Sequence, residues 1–473
     1  MSRWLALAVL SAAMLMTILD GSIVTVALPA IQHDLGFSSA DLSWTVNAYL
    51  IPFGGLLLLS GRLGDLIGRK RVFLAGNVVF VAASLLAGLA DSPGLLIAAR
   101  FLQGAGSALA SSVVLGILVT MFTEPAERAR AIGVFSFTGA AGASIGQVVG
   151  GVLTDALDWH WIFFINVPIG LATILLAIRV LPSERGAGLA AGADVAGAVL
   201  VTGGLMLGVY TVVGIEQRGG GQSLVSGAVA LLLLAGFFLR QATARTPLMP
   251  LRVFRSRNVS GANVVQILAL AAMFAFQILV ALYMQRVLGY GALATGLAML
   301  PAAVAIGGVS LFVSARLNNR FGARTVLLAG LVLLAAAMGW LTRVPVEADY
   351  VTDLLPVMLL IAGGGLVLPA LTNLGMSDAG EDDAGLASGL FNTTQQIGMA
   401  LGVAVLSTLA AGRAGSLLGA GTPEPVALTE GFRLAFTVAA GLLVVAFVVA
   451  FTVLRPASHS SARGPRAGRR VPS

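Results

Sequence analysis

The sequence predicts an all-α integral membrane protein that crosses the bilayer about fourteen times, and composition gives the first reason. The chain has 473 residues, of which 58% are hydrophobic and 10% are charged. Soluble domains carry about 25% charged residues, so this chain has too little polar material to cover a water-facing surface. Its 59 glycines are typical of membrane helices, in which small residues allow close packing.

The second reason is the length of the apolar runs. A helix needs about 20 apolar residues to cross the hydrocarbon core, and turn residues or charges separate the runs. The first run is too long for the apolar region of a signal peptide and is predicted to be a transmembrane helix. The predicted spans are 5–30, 40–60, 72–90, 94–121, 131–153, 161–181, 194–215, 223–239, 258–282, 293–315, 325–342, 354–376, 385–411 and 431–454.

The third reason is the distribution of positive charge. With the N-terminus placed in the cytoplasm, 22 of the 28 lysine and arginine residues fall on the cytoplasmic side, five fall outside and Arg100 lies within a span. Positive residues concentrate on the cytoplasmic side of membrane proteins. The sequence therefore predicts a multi-pass protein of the cell (plasma) membrane with both termini cytoplasmic.

Two short loops indicate an internal repeat. Residues 61–70 join the second and third predicted spans, residues 315–324 join the tenth and eleventh, and the two segments align without gaps. Transporters often consist of related halves. The predicted units are a six-helix bundle at 1–185, two inserted helices with a cytoplasmic linker at 186–257, a second six-helix bundle at 258–455 and a disordered basic cytoplasmic tail at 456–473.

The composition excludes several kinds of chemistry. The chain has no cysteine, and its three histidines, His33, His160 and His459, are far apart in sequence, so we expect no metal site and no cofactor. No phosphate-binding loop of the Gly-x-x-x-x-Gly-Lys-Ser/Thr type occurs, which argues against nucleotide-driven transport. The positive charge follows the topology, so we expect no nucleic-acid partner.

Two ionisable residues inside predicted spans need an explanation. Asp20 lies in the first span and Arg100 in the fourth. A charged residue at a helix centre costs about 2.5–3.5 kcal/mol on insertion scales, and such residues mark ion pathways and proton relays. We predict that Asp20 carries a proton and that Arg100 is its counter-charge. The alternative is a structural ion pair, or a water-filled vestibule, without a coupling role.

Uncharged polar residues also occur inside the spans. Each either stabilises a helix contact, with about 0.6 kcal/mol per interhelical hydrogen bond, or lines a substrate cavity, and the sequence leaves both interpretations open. The cavity candidates are Asn47, Gln103, Asn166, Asn263, Gln266, Asn392 and Gln395.

These segments resemble the motifs of the major facilitator superfamily, in particular its fourteen-helix drug:proton antiporters. The loop at 61–70 is similar to the family's loop between helices two and three, and residues 100–106 are similar to its proton-linked motif on helix four. Residues 19–29, 159–170 and 386–396 resemble signatures of helices one, six and thirteen. The match covers nearly the whole chain and implies a major facilitator fold, with two six-helix bundles and two extra central helices.

The resemblance implies roles for individual residues. Asp20 and Arg100 would couple proton movement to conformational change. A conformational gate would comprise Gly61, Asp65, Gly68, Arg69 and Lys70. An antiporter motif on helix five would comprise Gly142, Gly146, Gln147, Gly150 and Gly151. Its glycines at intervals of four predict close packing against a neighbouring helix, whereas Gln147 replaces the proline that is usual in the family and removes a kink.

The resulting expectation is a proton-coupled exporter of small amphipathic drugs or antibiotics that works by alternating access. The resemblance also implies a monomer, with the substrate, protons and the lipid bilayer as its partners. The alternative is a solute:proton symporter of the same fold, and the remote alternative is a membrane-embedded enzyme or receptor. The sequence names no substrate and leaves open whether the specificity is broad or narrow.

Overall fold

The protein is described by a computed structural model that covers residues 3–39, 41–183, 186, 188, 193–214, 219–248, 251, 254, 256–376 and 384–454. The predicted tail at 456–473 lies outside the described residues, as do the loop residues Arg185, Arg218, Arg252 and Arg255. The fold is therefore described from its helices and from the loops between them that fall within these ranges.

Fourteen helices cross the molecule in the described part of the chain. Thirteen are long and apolar enough to span a membrane, and α5, with 32 residues, is the fourteenth. The predictions of an all-α membrane protein and of about fourteen spans are confirmed. The helices are α1 Arg3–Leu35, α2 Trp44–Ile67, α3 Arg69–Gly88, α4 Pro93–Met121, α5 Pro125–Ala156, α6 Trp161–Val180, α7 Val195–Val213, α8 Gly219–Thr243, α9 Arg257–Arg286, α10 Ala292–Phe321, α11 Ala323–Leu341, α12 Tyr350–Gly375, α13 Ala384–Gly419 and α14 Glu424–Val453.

Some of these helices are not continuous. α6 breaks at Ile165, so that Asn166 begins its second segment. α10 contains a π-helical turn at Val309–Ser314, and α12 begins with one at Tyr350–Leu354. Such turns rotate the side chains that follow them relative to a regular helix. The faces that these helices turn inward therefore do not follow from a simple helical period.

The two loops of the sequence repeat adopt the same structure at the terminal face, which is the end of the molecule where α1 begins and α14 ends. Each loop turns at a glycine in the left-handed region, Gly68 with φ 100° and Gly322 with φ 81°. Lys70 Nζ donates to two backbone carbonyls at the end of α6, both at 2.7 Å. The aligned Arg324 donates to a carbonyl at the end of α14 at 2.5 Å. In both loops a cation therefore stabilises the C-terminus of a neighbouring helix. The sequence repeat is thus also a structural repeat. The division of the chain at 185 and 257 stays a prediction.

Glycines allow α5 to pack closely along α1. Gly142, Gly146 and Gly150 each bring α5 against side chains or backbone of α1. A Cβ atom at Gly146 would overlap the hydroxyl of Ser22 and would lie 2.9 Å from the backbone oxygen of Leu19. The glycine spacing of four residues therefore predicts which face of α5 makes the close contact. This contact holds α1, the helix that carries Asp20, against α5.

The helices α7 and α8 form a hairpin that packs against α2, and α7 also contacts α13. Asp194 precedes α7 and accepts hydrogen bonds from Gly197 N at 2.9 Å, Arg240 Nε at 2.5 Å and Gln241 Nε2 at 2.9 Å. Burial raises the pKa of Asp194, but these hydrogen bonds outweigh burial and hold the pKa below its usual range. Asp194 therefore stabilises the hairpin above about pH 4, and this contribution is lost as the pH falls through its lower folded pKa.

Gly146→Val is expected to disrupt the contact between α1 and α5. The added side chain has no room beside Ser22, and overpacking costs about 1–3 kcal/mol. We expect a lower thermal midpoint for the purified protein, measured by tryptophan fluorescence in detergent. Gly208→Val is the matched control, because a Cβ atom at Gly208 meets no atom within 4 Å. Equal midpoints for the two variants would contradict this packing argument.

Candidate functional site

Asp20 is fully buried where α1, α4 and α6 meet. Its Oδ2 accepts a hydrogen bond from Arg100 Nη1 at 2.5 Å. Its Oδ1 accepts hydrogen bonds from Gln103 Nε2 at 3.1 Å and from Asn166 Nδ2 at 2.8 Å. Both carboxylate oxygens are therefore bonded inside the protein, as a buried charge requires.

Arg100 is held as tightly as the carboxylate, since its side chain is only 1% exposed. Its Nε donates to the backbone oxygen of Thr45 at 2.9 Å, and its Nη1 also donates to Gln103 Oε1 at 2.9 Å. The guanidinium carbon lies 4.5 Å from the ring centroid of Tyr49 and 5.7 Å from that of Phe163. Cation–π contacts of this kind contribute about 2 kcal/mol when they are desolvated.

Ser84 on α3 completes the cluster. Its hydroxyl accepts hydrogen bonds from Gln103 Nε2 at 2.6 Å and from Asn166 Nδ2 at 3.2 Å. The break in α6 places Asn166 at the start of a helical segment, with its side chain fully buried in this cluster. Gln103 and Asn166, which were candidates for the cavity wall, are thus bonded to Asp20 instead.

A cavity of about 1220 Å³ lies at the centre of the molecule. Its lining comes from helices of both sequence halves, including α1, α2, α9 and α13, and is mostly apolar. At the terminal face it is lined by Arg62, Asp65 and Arg69 and by residues 246–248, which follow α8. Deeper in the cavity lie five amide side chains, here called the amide set: Gln147, Gln277, Asn392, Gln395 and Gln396.

Tyr49 lies between the cavity and the ion pair. It is among the residues that line the cavity, whereas Asp20 and Arg100 are not. Its ring packs on the guanidinium of Arg100, and its hydroxyl is 2.9 Å from the Ser107 hydroxyl. The substrate space and the proton-binding candidate are therefore separated by this aromatic ring.

The predicted gate residues lie at the mouth of the cavity. Arg69 Nη2 is 3.4 Å from Asp65 Oδ1, within one sequence half, and the two side chains are 30% and 52% exposed. Arg69 Nη1 also donates to the backbone oxygen of Gly116 at 3.3 Å. Gly61 lines the same mouth. Asp65, Arg69 and Gly116 all belong to the first sequence half.

The opposite face is closed by contacts between the halves. Asp155 on α5 accepts backbone hydrogen bonds from Ala292 at 3.2 Å and from Leu293 at 2.7 Å, at the start of α10. A carboxylate is favourable at a helix N-terminus. Gln285 Nε2 on α9 donates to the backbone oxygen of Val26 on α1 at 3.0 Å. The cavity is therefore open towards the terminal face.

The helix α5 also contributes to the closure of the opposite face. A Cβ atom at Gly151 would lie 2.6 Å from Leu293 Cα, and one at Gly296 would lie 2.5 Å from the backbone oxygen of Gln147. The backbones of α5 and α10 therefore approach each other closely. The side chain of Gln147 lines the cavity.

The other predicted cavity residues divide into two groups. Asn392 and Gln395 line the cavity, whereas Asn47, Asn263 and Gln266 do not. Asn263 Nδ2 donates to a backbone oxygen of its own helix at 2.8 Å, and Gln266 Nε2 donates to one of α13 at 3.0 Å. The buried amide of Asn47 has no hydrogen-bond partner in the described part of the chain. Among the described residues, no group of three or more potential metal ligands occurs.

Comparison with known proteins identifies the family. Residues 10–403 match the family model described as Major Facilitator Superfamily. The chain belongs to the major facilitator superfamily. The predicted family is thereby confirmed, and because its members are transporters, the chain is a multi-pass membrane transporter and not an enzyme.

Relatives of this major facilitator protein include named resistance and export proteins. It is 37% identical to the "Puromycin resistance protein pur8" of Streptomyces alboniger, with 96% of this chain and 91% of the relative covered. It is 38% identical to the "Cephamycin export protein CmcT" of Amycolatopsis lactamdurans, with 98% and 94% covered. The "Tetracenomycin C resistance and export protein" of Streptomyces glaucescens is 34% identical, with 88% and 77% covered.

Solved structures share the fold at low sequence identity. An auto-inhibited peptide transporter of the POT family has a TM-score of 0.70 at 16% identity, with 98% of this chain and 99% of that chain covered. A bacterial homologue of the human lysosomal transporter Spinster has a TM-score of 0.65 at 16% identity, with 96% and 98% covered. These likenesses confirm the major facilitator fold.

Removal of the arginine from the buried pair is expected to destabilise the protein strongly. Arg100→Leu leaves a buried carboxylate without its counter-charge, which costs about 3–5 kcal/mol. Adding Asp20→Asn to this variant removes the unpaired charge and is expected to recover part of the loss. Asp65→Asn is the control, because its partly exposed pair contributes about 0.5 kcal/mol or less. The effect is measured as the thermal midpoint of each purified variant. If the loss in the double variant equals the sum of the losses in the two single variants, Asp20 and Arg100 do not stabilise each other.

Removal of the carboxylate at the opposite face is expected to open that face. Asp155→Ala deletes both hydrogen bonds to the start of α10, and Thr295→Cys supplies a buried reporter on the same helix in a chain without native cysteine. We expect the cysteine to react severalfold faster with a membrane-impermeant maleimide. Asp158→Ala is the control, since this carboxylate accepts from His160 of its own loop. Equal labelling rates would show that Asp155 does not hold the face closed.

Proposed function

We propose that this chain is a proton-coupled exporter of small amphipathic molecules, working by alternating access. The observation that carries the proposal is the sealed pair of Asp20 and Arg100 beside a cavity large enough for a drug-sized molecule. Intramembrane ion pairs mark proton relays in transporters. Relatives named as export proteins for cephamycin and tetracenomycin C support the outward direction.

The orientation follows from charge. The terminal face carries most of the positive residues, so we infer that it is cytoplasmic and that the protein resides in the cell membrane with both termini inside. The cavity, which opens at this face, then faces the cytoplasm. The contacts of Asp155 and Gln285 close the outer face. This is the state in which an exporter accepts its substrate.

Protonation of Asp20 supplies the driving step. In this structure both carboxylate oxygens of Asp20 accept hydrogen bonds, and one of these bonds comes from Arg100. A proton that reaches Asp20 from outside removes the charge that compensates Arg100, and an uncompensated buried charge costs about 3–5 kcal/mol. A difference of this size shifts an equilibrium between two conformations by a factor of about 100 or more. Movement of one charge adds about 2.3 kcal/mol per 100 mV of membrane potential.

Tyr49 provides the route by which substrate and proton affect each other. A molecule in the cavity contacts one side of this residue, and Arg100 packs on its ring. Displacement of the ring by substrate removes a cation–π contact from Arg100 and weakens its hold on the carboxylate. Substrate binding and protonation of Asp20 are therefore coupled through one side chain.

The conformational change occurs between the two sequence halves. We infer that units 1–185 and 258–455 rock against each other while α7 and α8 follow α2. In the outward-facing state the loop of Gly61, Asp65, Gly68, Arg69 and Lys70 would close the mouth that is open here. The protein would work as a monomer, because its cavity is built within one chain.

Asp20→Asn is expected to abolish proton-driven export while the protein still reaches the membrane. The amide retains hydrogen-bonding capacity but carries no titratable proton. The measurement is substrate accumulation in inverted membrane vesicles after an imposed pH gradient. Asp91→Asn, an exposed residue between α3 and α4, is the control and should transport as the wild type does. Unchanged transport by Asp20→Asn would refute the coupling role, and substrate movement in the opposite direction would identify a symporter.

A further inference from the structure

The chemistry of the cavity wall is defined by the amide set. Gln147 enters from α5, Gln277 from α9, and the other three members from α13. A primary amide both donates and accepts hydrogen bonds and carries no formal charge. The wall therefore offers polar contacts from both halves of the protein without offering a counter-ion.

The helices around the cavity supply no further charge. Residues 258–285, 287–315, 354–377 and 384–412 contain no aspartate, glutamate, lysine or arginine. In the first half, Asp20 and Arg100 neutralise each other behind Tyr49. Among the described residues, the charged ones that line the cavity are two arginines and one aspartate, and they lie at its mouth. A cation that leaves water for the centre of this cavity would lose its hydration without gaining a carboxylate partner, which is costly.

One member of the amide set has an unused acceptor. Gln396 is 9% exposed, and its Oε1 has no hydrogen-bond partner in the described part of the chain. An unsatisfied buried acceptor costs about 1–3 kcal/mol. This oxygen has almost no accessible surface, so a ligand reaches it when the terminal amide of Gln396 turns into the cavity. A ligand N–H or O–H group then removes that cost, and sites built around such groups discriminate strongly against analogues that lack them.

The apolar part of the wall fits flat or adaptable ring systems. Phe53, Phe274, Met273 and Met299 line the same space, and methionine side chains adapt to ligands of different shape. The volume of about 1220 Å³ exceeds the range of about 300–1,000 Å³ typical of drug-sized sites. Multi-ring molecules therefore fit with room for hydrogen-bonding substituents.

We propose that the cavity selects uncharged, multi-ring molecules with hydrogen-bond donors and rejects organic cations. This inference rests on the proposed export function only for the direction of movement, because selectivity is a property of the binding site itself. Gln396 on α13 accepts a hydrogen bond from the ligand. Gln277 on α9 places a neutral amide in the wall, where a carboxylate would attract a cation.

The test compares three tricyclic probes of the same skeleton. Acridone is neutral with one N–H donor, N-methylacridone is neutral without a donor, and proflavine is a cation at neutral pH. Equilibrium binding is measured on the full-length protein in lipid nanodiscs, with binding to empty nanodiscs subtracted. We expect acridone to bind at least tenfold more tightly than proflavine and severalfold more tightly than N-methylacridone.

Two variants test the assigned residues. Gln396→Leu is expected to abolish the preference for acridone over N-methylacridone. Gln277→Glu is expected to increase proflavine binding at least tenfold, because it adds a carboxylate to the wall. Gln222→Leu and Gln222→Glu, at an exposed position on α8, are the matched controls and should change neither ratio.

The outcomes separate this inference from the proposed function. Proflavine binding as tight as acridone binding, or no binding of any probe, would overturn the selectivity. Unchanged probe ratios in both cavity variants would overturn the residue assignment. Acridone that binds as expected but is not moved by a pH gradient in inverted vesicles would leave the selectivity standing and overturn proton-coupled export.

Discussion

The rest of the structure depends on the burial of one ion pair. Asp20 and Arg100 are 0% and 1% exposed, and a pair so placed is tolerated only when every oxygen and most N–H groups have partners. Those partners come from α2, α4 and α6, and Ser84 of α3 accepts hydrogen bonds from two of them. The requirement to satisfy one carboxylate therefore fixes the relative positions of five helices in the first half of the chain.

The two ends of the molecule are held by different kinds of contact. At the opposite face the halves meet through backbone groups, with a carboxylate at a helix start and glycines where α5 crosses α10. At the terminal face, Arg69 bonds to Asp65 and to Gly116, which belong to the first half. The cavity reaches the terminal face, where Arg62, Asp65 and Arg69 line it.

Much of this arrangement could be predicted from the sequence. Composition and run length predict the helices, and glycine spacing predicts that α5 packs closely against a neighbouring helix. The cost of burying charge in a membrane indicates Arg100 as the counter-charge of Asp20. Which way the polar residues face could not be predicted, because the sequence does not tell which side of α6 turns towards α1 and α4, and Asn166 lies on that side. Ser84 and Tyr49 carry no sequence signal, since serine and tyrosine occur in many membrane helices without a special role.

The single ring that separates the cavity from the ion pair has a pharmacological consequence. A compound that stacks against Tyr49 from the cavity side, and is too large to leave when the bundles move, would press on Arg100 through that ring. It would act on the ion pair without touching Asp20. An inhibitor of this kind needs no access to Asp20, and resistance through loss of the aromatic ring would damage the pump itself.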